Sequence, residues 1–273
     1  MEKPWTYSHT QLALWKLCKR RYYNQYVLGK KEPKTPNMAA GTWLCQNPIE
    51  HWEQDRRSDA DTNFWNTVWP NFLAEFGGDD LYKDPIFNLD LAKKIFTAYR
   101  ANPVQGKVVE VEQRFFKYFP DGLRYQSKPD FVVERPTRVT WDIKLKTFTQ
   151  RFAGDTFYAS APLSVFDDQC LGQAVCTKAD AFGQIQFWVG KKDATLIGPV
   201  YIEQPVNTVL ATEWEQETIN EMNSIENWRK YISRISWPKN DQACRAFGRD
   251  CSYLPHCNFG FEVKILDNDL KND

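Results

Sequence analysis

Nothing in these 273 residues biases the overall charge, because 35 basic side chains balance 35 acidic ones. A chain-wide electrostatic pull on nucleic acid is therefore excluded, and any polyanion must be met by local patches. No apolar run approaches the roughly 20 residues of a bilayer span. The opening MEKPWTYSHTQ lacks the apolar core of a secretory signal. The protein is thus expected in the cytoplasm or elsewhere inside a cell, of cellular or phage source, with no membrane partner. Cysteines stay reduced there, so the seven present invite a metal or catalytic reading of some of them. C-x2-C pairs are missing, which speaks against an ordinary zinc ribbon. Internal repeats and low-complexity stretches are missing too.

What is abundant is aromatic: 15% of residues, eleven of them Trp, within a 42% hydrophobic chain. That composition favours a packed body over a disordered one. Ser8 and Gln11 form a capping box that opens a first helix, along which Leu14, Cys18, Tyr22 and Tyr26 recur every fourth residue. A Lys- and Pro-rich loop follows over 29–36, and a second helical region starts near Met38. Residues 49–102 read as helical, anchored by Trp52, Trp65, Trp69 and Phe72 and broken at Pro70 and Gly77-Gly78.

The texture changes at Lys107. VVEVEQRFFKYF predicts one strand, Pro120-Asp121-Gly122 a turn, and LRYQSKPDFVVE a second strand. RVTWDIKLKT predicts a third, and Asp167 to Ala179 a helix. GQIQFWVG and ATLIGPVYIE form a hairpin through Lys191-Lys192-Asp193, and a long helix spans Thr208 to Ile235. Together these predict one α/β domain over residues 1–260. Its core lies at about 107–205, its helical part at about 8–102 and a Cys-rich segment at 244–257. A polar tail covers 261–273.

Within this order, Asp130 stands in Lys128-Pro129-Asp130, and Asp142-Ile143-Lys144 follows twelve residues later. Strand alternation puts Asp142 and Lys144 on one face, with Trp141, Ile143 and Leu145 on the other. If the second and third strands pair, Asp130 faces the same cleft. Two carboxylates suit a hard cation such as Mg²⁺, which keeps waters for a nucleophile. A nearby ammonium can offset charge building in a transition state. Glu110 and Glu112 on the preceding strand are candidates for acidic support or for a plain exposed face.

On these residues the chain resembles the PD-(D/E)XK nucleases, and among them the RecB-like exonucleases, whose members include helicase-linked and CRISPR-associated enzymes. Asp130 matches the first catalytic Asp of that family, and Asp142 with Lys144 its (D/E)XK pair. Gln169 stands at the Q-x-x-x-Y helix motif, with Gln173 in place of the Tyr. Cys18-Lys-Arg-Arg-Tyr22-Tyr23 is similar to the opening C-P-x-x-y-y segment, with Lys19 for Pro. The resemblance runs from Ser8 to Cys257. It implies a restriction-endonuclease-like core with an N-terminal helical insertion. It also implies a Mg²⁺- or Mn²⁺-dependent deoxyribonuclease, an exonuclease working on single strands or ends in recombination, repair or replication. Helicase or recombination partners come with it.

One family feature is displaced. The metal-ligating His of G-x-x-x-H-x-x-L-E has no counterpart in Gly41-Thr42-Trp43-Leu44-Cys45-Gln46-Asn47-Pro48-Ile49-Glu50. Counting from Gly41 gives Cys45; counting back from Glu50 gives Gln46, a candidate weak metal contact. His51 is out of register with both. The loss leaves a second reading open, a weak or inactive relative that binds nucleic acid or a protein.

Cys244, Cys251 and Cys257 follow C-x6-C-x5-C, with Cys18 far away. Spacing alone leaves a [4Fe–4S] cluster, zinc and buried thiols open. The resemblance implies the cluster on these four ligands, stapling the two ends of the chain as a structural element. Cys170 and Cys176 are expected in the core. Local basic patches include Lys19, Arg20 and Arg21 beside Tyr22, Tyr23 and Tyr26, then Lys30-Lys31, Lys146, and Lys191-Lys192. Lys19, Arg20, Arg21 and Lys146 are the candidate DNA contacts, while Tyr22 and Tyr26 read better as core.

Overall fold

A computed structural model describes residues 5–30, 40–54, 65–66, 70, 88–148, 168–190, 194–231, 237–238, 240, 242, 244, 251 and 253. Expectations for Trp69, Phe72, Gly77-Gly78, Lys191-Lys192 and Cys257 lie outside the described residues. The chain divides into two compact units. One comprises Met1–His9 with Lys34–Ile219, and the other Thr10–Pro33 with Asn220–Asp273.

In the first unit, alternating apolar residues build a mixed five-stranded sheet in the order β2-β5-β6-β7-β8. Its strands are β2 (Lys107–Val111), β5 (Phe131–Glu134), β6 (Arg138–Phe148), β7 (Ala181–Gly190) and β8 (Leu196–Pro205). Within this sheet only β6 and β7 pair in parallel, through ten residues from Val139↔Ala181 to Phe148↔Gly190. Helix α5 (Asp168–Thr177) makes the crossover a parallel pair needs. A smaller mixed sheet, β1-β4-β3, joins β1 (Thr6–Ser8), β4 (Arg124–Ser127) and β3 (Phe115–Tyr118).

Phe131, Val133, Trp141, Ile143, Ile185, Phe187 and Val189 fill one face of the large sheet. They pack with Leu44, Cys45 and Ile49, and with Leu91, Ile95, Phe96 and Tyr99 of α4 (Leu89–Ala101). Asn88 caps α4, its Oδ1 accepting from the amide of Leu91 at 2.9 Å. Before α3 (Asn47–Gln54) the chain takes a wide π-helical turn over Gly41–Gln46. Gly183 pairs with Trp141 and has to be glycine, since a Cβ there would lie 2.5 Å from the indole and 2.6 Å from the Ile202 carbonyl.

Two expected strands each divide. The first breaks after Val111, where Glu112 takes φ +54° and re-aims the chain from the large sheet to the small one. The second breaks at Lys128-Pro129-Asp130, between β4 and β5; Pro129 has no N–H for a ladder. The expected hairpins otherwise form: β5 pairs β6 with Phe131 opposite Trp141, and β7 pairs β8.

In the second unit the expected first helix is not continuous. Helix α1 (His9–Leu17) stops at Cys18, whose φ −160° and ψ 110° are extended, and α2 (Lys19–Tyr22) restarts directly into a π turn over Tyr23–Val27. Trp15, Tyr22, Tyr23, Trp228 and Trp237 form one aromatic cluster, with ring centroids 5.0–6.3 Å apart. The long helix α6 (Thr208–Tyr231) supplies Trp228. No described helix is long and apolar enough to cross a membrane.

Candidate active site

The β5–β6 register that buries Phe131 and Trp141 on the core face turns Asp130 and Asp142 to the other side. Both are almost wholly buried, at 4% and 3% exposure. Asp130 is fixed through Oδ2, which accepts the Ile143 amide at 2.5 Å. The hydrogen bond from Glu112 N to the Asp130 carbonyl, 3.1 Å, carries the end of β2 to the same point. There Glu50, Glu112 and Asp130 place carboxylate oxygens within 4.8 Å of one another, a group able to hold a metal ion.

These three carboxylates gather around one amide. Gln46 Nε2 donates to Asp130 Oδ1 at 2.5 Å and reaches Glu112 Oε1 at 3.4 Å. Lys128 pairs with the outer oxygen of Glu112. Glu50 Oε1 is buried without a hydrogen-bond partner among the described residues. Burial pushes the Glu50 carboxyl up to about 7, against the pull of the Gln46 amide and Lys128. Burial, then Asp142 and Glu50, hold Asp130 well above the usual carboxylate range, although the Ile143 amide and Lys144 work the other way.

Asp142 is differently served. Lys144 Nζ stands 2.5 Å from its Oδ2. From α5, Gln169 Nε2 and Gln173 Nε2 donate to its Oδ1 at 3.2 and 3.4 Å. Lys144 also donates to Gln169 Oε1 at 3.3 Å, closing a ring of three side chains. Burial disfavours the Lys144 ammonium, but Asp142 and then Asp130 outweigh it and hold its pKa above the ordinary lysine value.

The predicted residues Asp130, Asp142, Lys144 and Gln169 thus come together. Gln46, not Cys45, stands at the carboxylates, because Cys45 is wholly buried among apolar residues; His51 is exposed. Gln173 has a contact its sequence position left without a role; its i, i+4 spacing from Gln169 was the available signal. Glu112 joins the group, whereas Glu110 does not belong to it. Lys146 lies farther along β6, its ammonium 5.0 Å from the Trp188 ring centroid.

The second unit holds the remaining expectations. Lys19 sits over Trp15 and Trp228 at 4.9 and 4.8 Å, and Arg20 donates to the Trp237 carbonyl at 2.6 Å. Tyr22 is fully buried, as expected. Asn240 donates its side-chain amide to the Leu17 carbonyl at 3.0 Å, Cys244 N donates to the Asn240 carbonyl at 3.2 Å, and Cys251 N donates to the Cys244 carbonyl at 2.8 Å. That chain of bonds links the segments carrying Cys18, Cys244 and Cys251, none of them in a disulfide. In the first unit Cys170 is buried as expected, and Cys176 is half-buried.

No protein-family model matches the chain, and no curated protein does. Among solved structures, an alkaline exonuclease from Laribacter hongkongensis aligns over 68% of this chain and 90% of its own, at 16% identity and a TM-score of 0.34. A candidate exonuclease from Eubacterium rectale aligns over 97% of this chain and 92% of its own, at 11% identity and a TM-score of 0.55. That second likeness is one of fold: a restriction-endonuclease-like architecture, with a mixed central sheet flanked by helices.

Proposed function

We propose that this chain is a divalent-metal-dependent deoxyribonuclease, an exonuclease acting on single strands or ends during recombination, repair or replication. The observation that carries the reading is the charge imbalance of the site. Four carboxylates, Glu50, Glu112, Asp130 and Asp142, face two lysines, Lys128 and Lys144. Two carboxyl groups are left without a lysine among the described residues, and one buried oxygen each of Glu50 and Asp142 is without a hydrogen-bond partner there. Buried like charges are costly unless a cation joins them. An all-oxygen donor set suits Mg²⁺ or Mn²⁺ over softer ions.

Asp130 and Asp142 would hold the ion, with Glu50, Glu112 and the Gln46 carbonyl oxygen completing the set. When bound, such an ion polarises a phosphate and acidifies a water. Lys144, kept protonated by its two aspartates, would orient the attacking water and offset charge on the phosphoryl oxygens. Gln169 and Gln173 would keep Asp142 and Lys144 in one geometry as that charge changes. Lys146 would contact the DNA backbone, and Lys19, Arg20 and Arg21 would offer a further cationic surface. Helicase or recombination proteins fit the same role as partners.

Cys18, Cys244 and Cys251, with Cys257, are proposed to bind a structural [4Fe–4S] cluster. Support comes from the hydrogen bonds that bring residues 17, 240, 244 and 251 into one unit despite their distance in sequence. Such a site would make binding energy part of folding energy.

The deciding experiment incubates labelled single- and double-stranded DNA with the anaerobically purified protein in Mg²⁺, in Mn²⁺ and in EDTA. Metal-dependent cleavage is expected, lost in Asp142→Asn, alongside broad absorbance near ~400 nm from thiolate-bound iron. A folded, metal-replete protein that cuts neither substrate refutes the enzyme. A colourless protein holding zinc refutes the cluster alone.

A further inference from the structure

The small sheet of the first unit has one covered face and one open face. On the covered face Tyr125 meets Trp214 edge-on at 5.1 Å and Lys117 pairs with Glu215 at 2.5 Å, both partners on α6. The register then turns Thr6, Ser8, Phe116, Tyr118, Arg124 and Gln126 to the other side. Phe116 and Tyr118 are 40% and 70% exposed, the only exposed aromatic side chains among the described residues. Every other large ring described is at least partly buried, so this pair runs against the habit of the chain.

We propose that this face is a stacking platform for the bases of single-stranded DNA. Three observations select that occupant. The aromatics stand two residues apart on an edge strand, roughly 7 Å, as separate flat faces on which successive bases can lie. The Arg124 guanidinium lies 5.1 Å from the Phe116 ring centroid and is held by a 2.7 Å hydrogen bond from Nε to Thr6 Oγ1. A preset cation beside an aromatic ring suits a base with its phosphate. Among the described residues the face carries no carboxylate, and its other members, Thr6, Ser8 and Gln126, are polar, unlike an apolar protein-docking patch.

Its position gives the platform a purpose. Strand β4 runs from Arg124 through Ser127 into Lys128-Pro129-Asp130, so Gln126 is four residues from the carboxylate group, at most about 14 Å of chain. A strand stacked on Phe116 and Tyr118 can therefore be led to the site. Bases inside a duplex have their faces covered by their neighbours and cannot use the platform. The proposal deepens the nuclease reading by naming the strandedness of its substrate.

Anisotropy of a labelled fifteen-residue oligothymidylate in EDTA tests the surface without cleavage. Phe116→Ala with Tyr118→Ala should weaken binding by about tenfold or more, the range for losing stacked bases, while affinity for a duplex of equal length stays within about twofold. Tyr118→Phe should bind like wild type, since the ring and not the hydroxyl does the stacking. Circular dichroism checks that each variant folds. Wild-type protein that does not bind the oligomer overturns the platform, as does a double alanine variant that binds it within about twofold of wild type. Equal losses on single strand and duplex overturn it too. So does a double variant that keeps its DNA affinity but loses self-association in sedimentation, which would make a second copy the occupant. Wild type that binds in EDTA yet cuts nothing in Mn²⁺ would leave the platform standing and remove the nuclease.

Discussion

The two halves of the carboxylate cleft differ in how their charge is met. Asp142 is met by an ammonium and two amides, its Oδ2 engaged by the ion pair with Lys144 and by no hydrogen bond among the described residues. Glu50, Glu112 and Asp130 share one neutral amide and one outlying lysine, and burial raises the proton affinity of Glu50 and Asp130. The first half carries its own counter-charge, and the second is the half that the proposed cation would complete. Buried carboxyl groups placed so close are accommodated by taking up protons or by a cation.

The strongest test is to remove one charge from each half. Asp130→Asn should abolish cleavage, a loss on the order of a hundredfold or more, and should also weaken Mn²⁺ binding measured by calorimetry. Lys144→Ala should slow the chemistry comparably while Mn²⁺ remains bound, because its charge matters most when the phosphoryl oxygens gain charge. If the two variants lose metal alike, the halves are not distinct.

A second comparison is thermal. A carboxyl whose folded pKa is raised gives stability that is fully present below its unfolded value and lost as pH climbs to the folded one. For Glu50 the window runs from 4.5 to about 7. Metal-free protein should therefore lose stability across that range, by on the order of 3 kcal/mol at most, seen as a falling Tm. Glu50→Gln should flatten the loss, and Mn²⁺ should restore Tm most at the upper end. A metal-free Tm that is level from pH 4.5 to 7 would show that the second half carries no such load.

The smallest effect concerns Gln46. Gln46→His should tighten Mn²⁺ binding by about tenfold, the scale on which groups around a metal site act. Cys45→His should lower Tm without tightening, because a polar ring would enter an apolar core. Tighter metal binding in the Cys45 variant would contradict the geometry described for this turn.

The halves were not equally legible in the amino-acid sequence. Asp142 and Lys144 obey the period-two rule of a strand, so spacing put them on one face, whereas Gln169 was reached through the resemblance to a family helix motif. Whether Gln46 or Cys45 faced the carboxylates could not be read, because the π-helical turn over Gly41–Gln46 departs from the 3.6-residue period by which a side is assigned. The strand breaks at Glu112 and Pro129 were hidden for a related reason. Polar runs, Glu112-Gln113-Arg114 and Ser127-Lys128-Pro129-Asp130, mark each break, but such a run does not distinguish a bulge from a change of sheet, since alternation reports a face without naming the partner strand. The helix break at Cys18 was masked in the same way by the four-residue recurrence of Leu14, Tyr22 and Tyr26.

The notch at Gly183 has a consequence for fidelity of assembly. Trp141, the neighbour of Asp142, lies across that glycine, and its ring meets Tyr201 edge-on at 5.8 Å. A slip of β6 by one residue would set the indole against the side chain of a neighbouring β7 residue and would turn Asp142 and Lys144 towards the apolar layer. The bulkiest residue of the strand and the bare backbone opposite it thus act as key and lock. Alignment of Asp142 and Lys144 is tied to the pairing of the sheet itself.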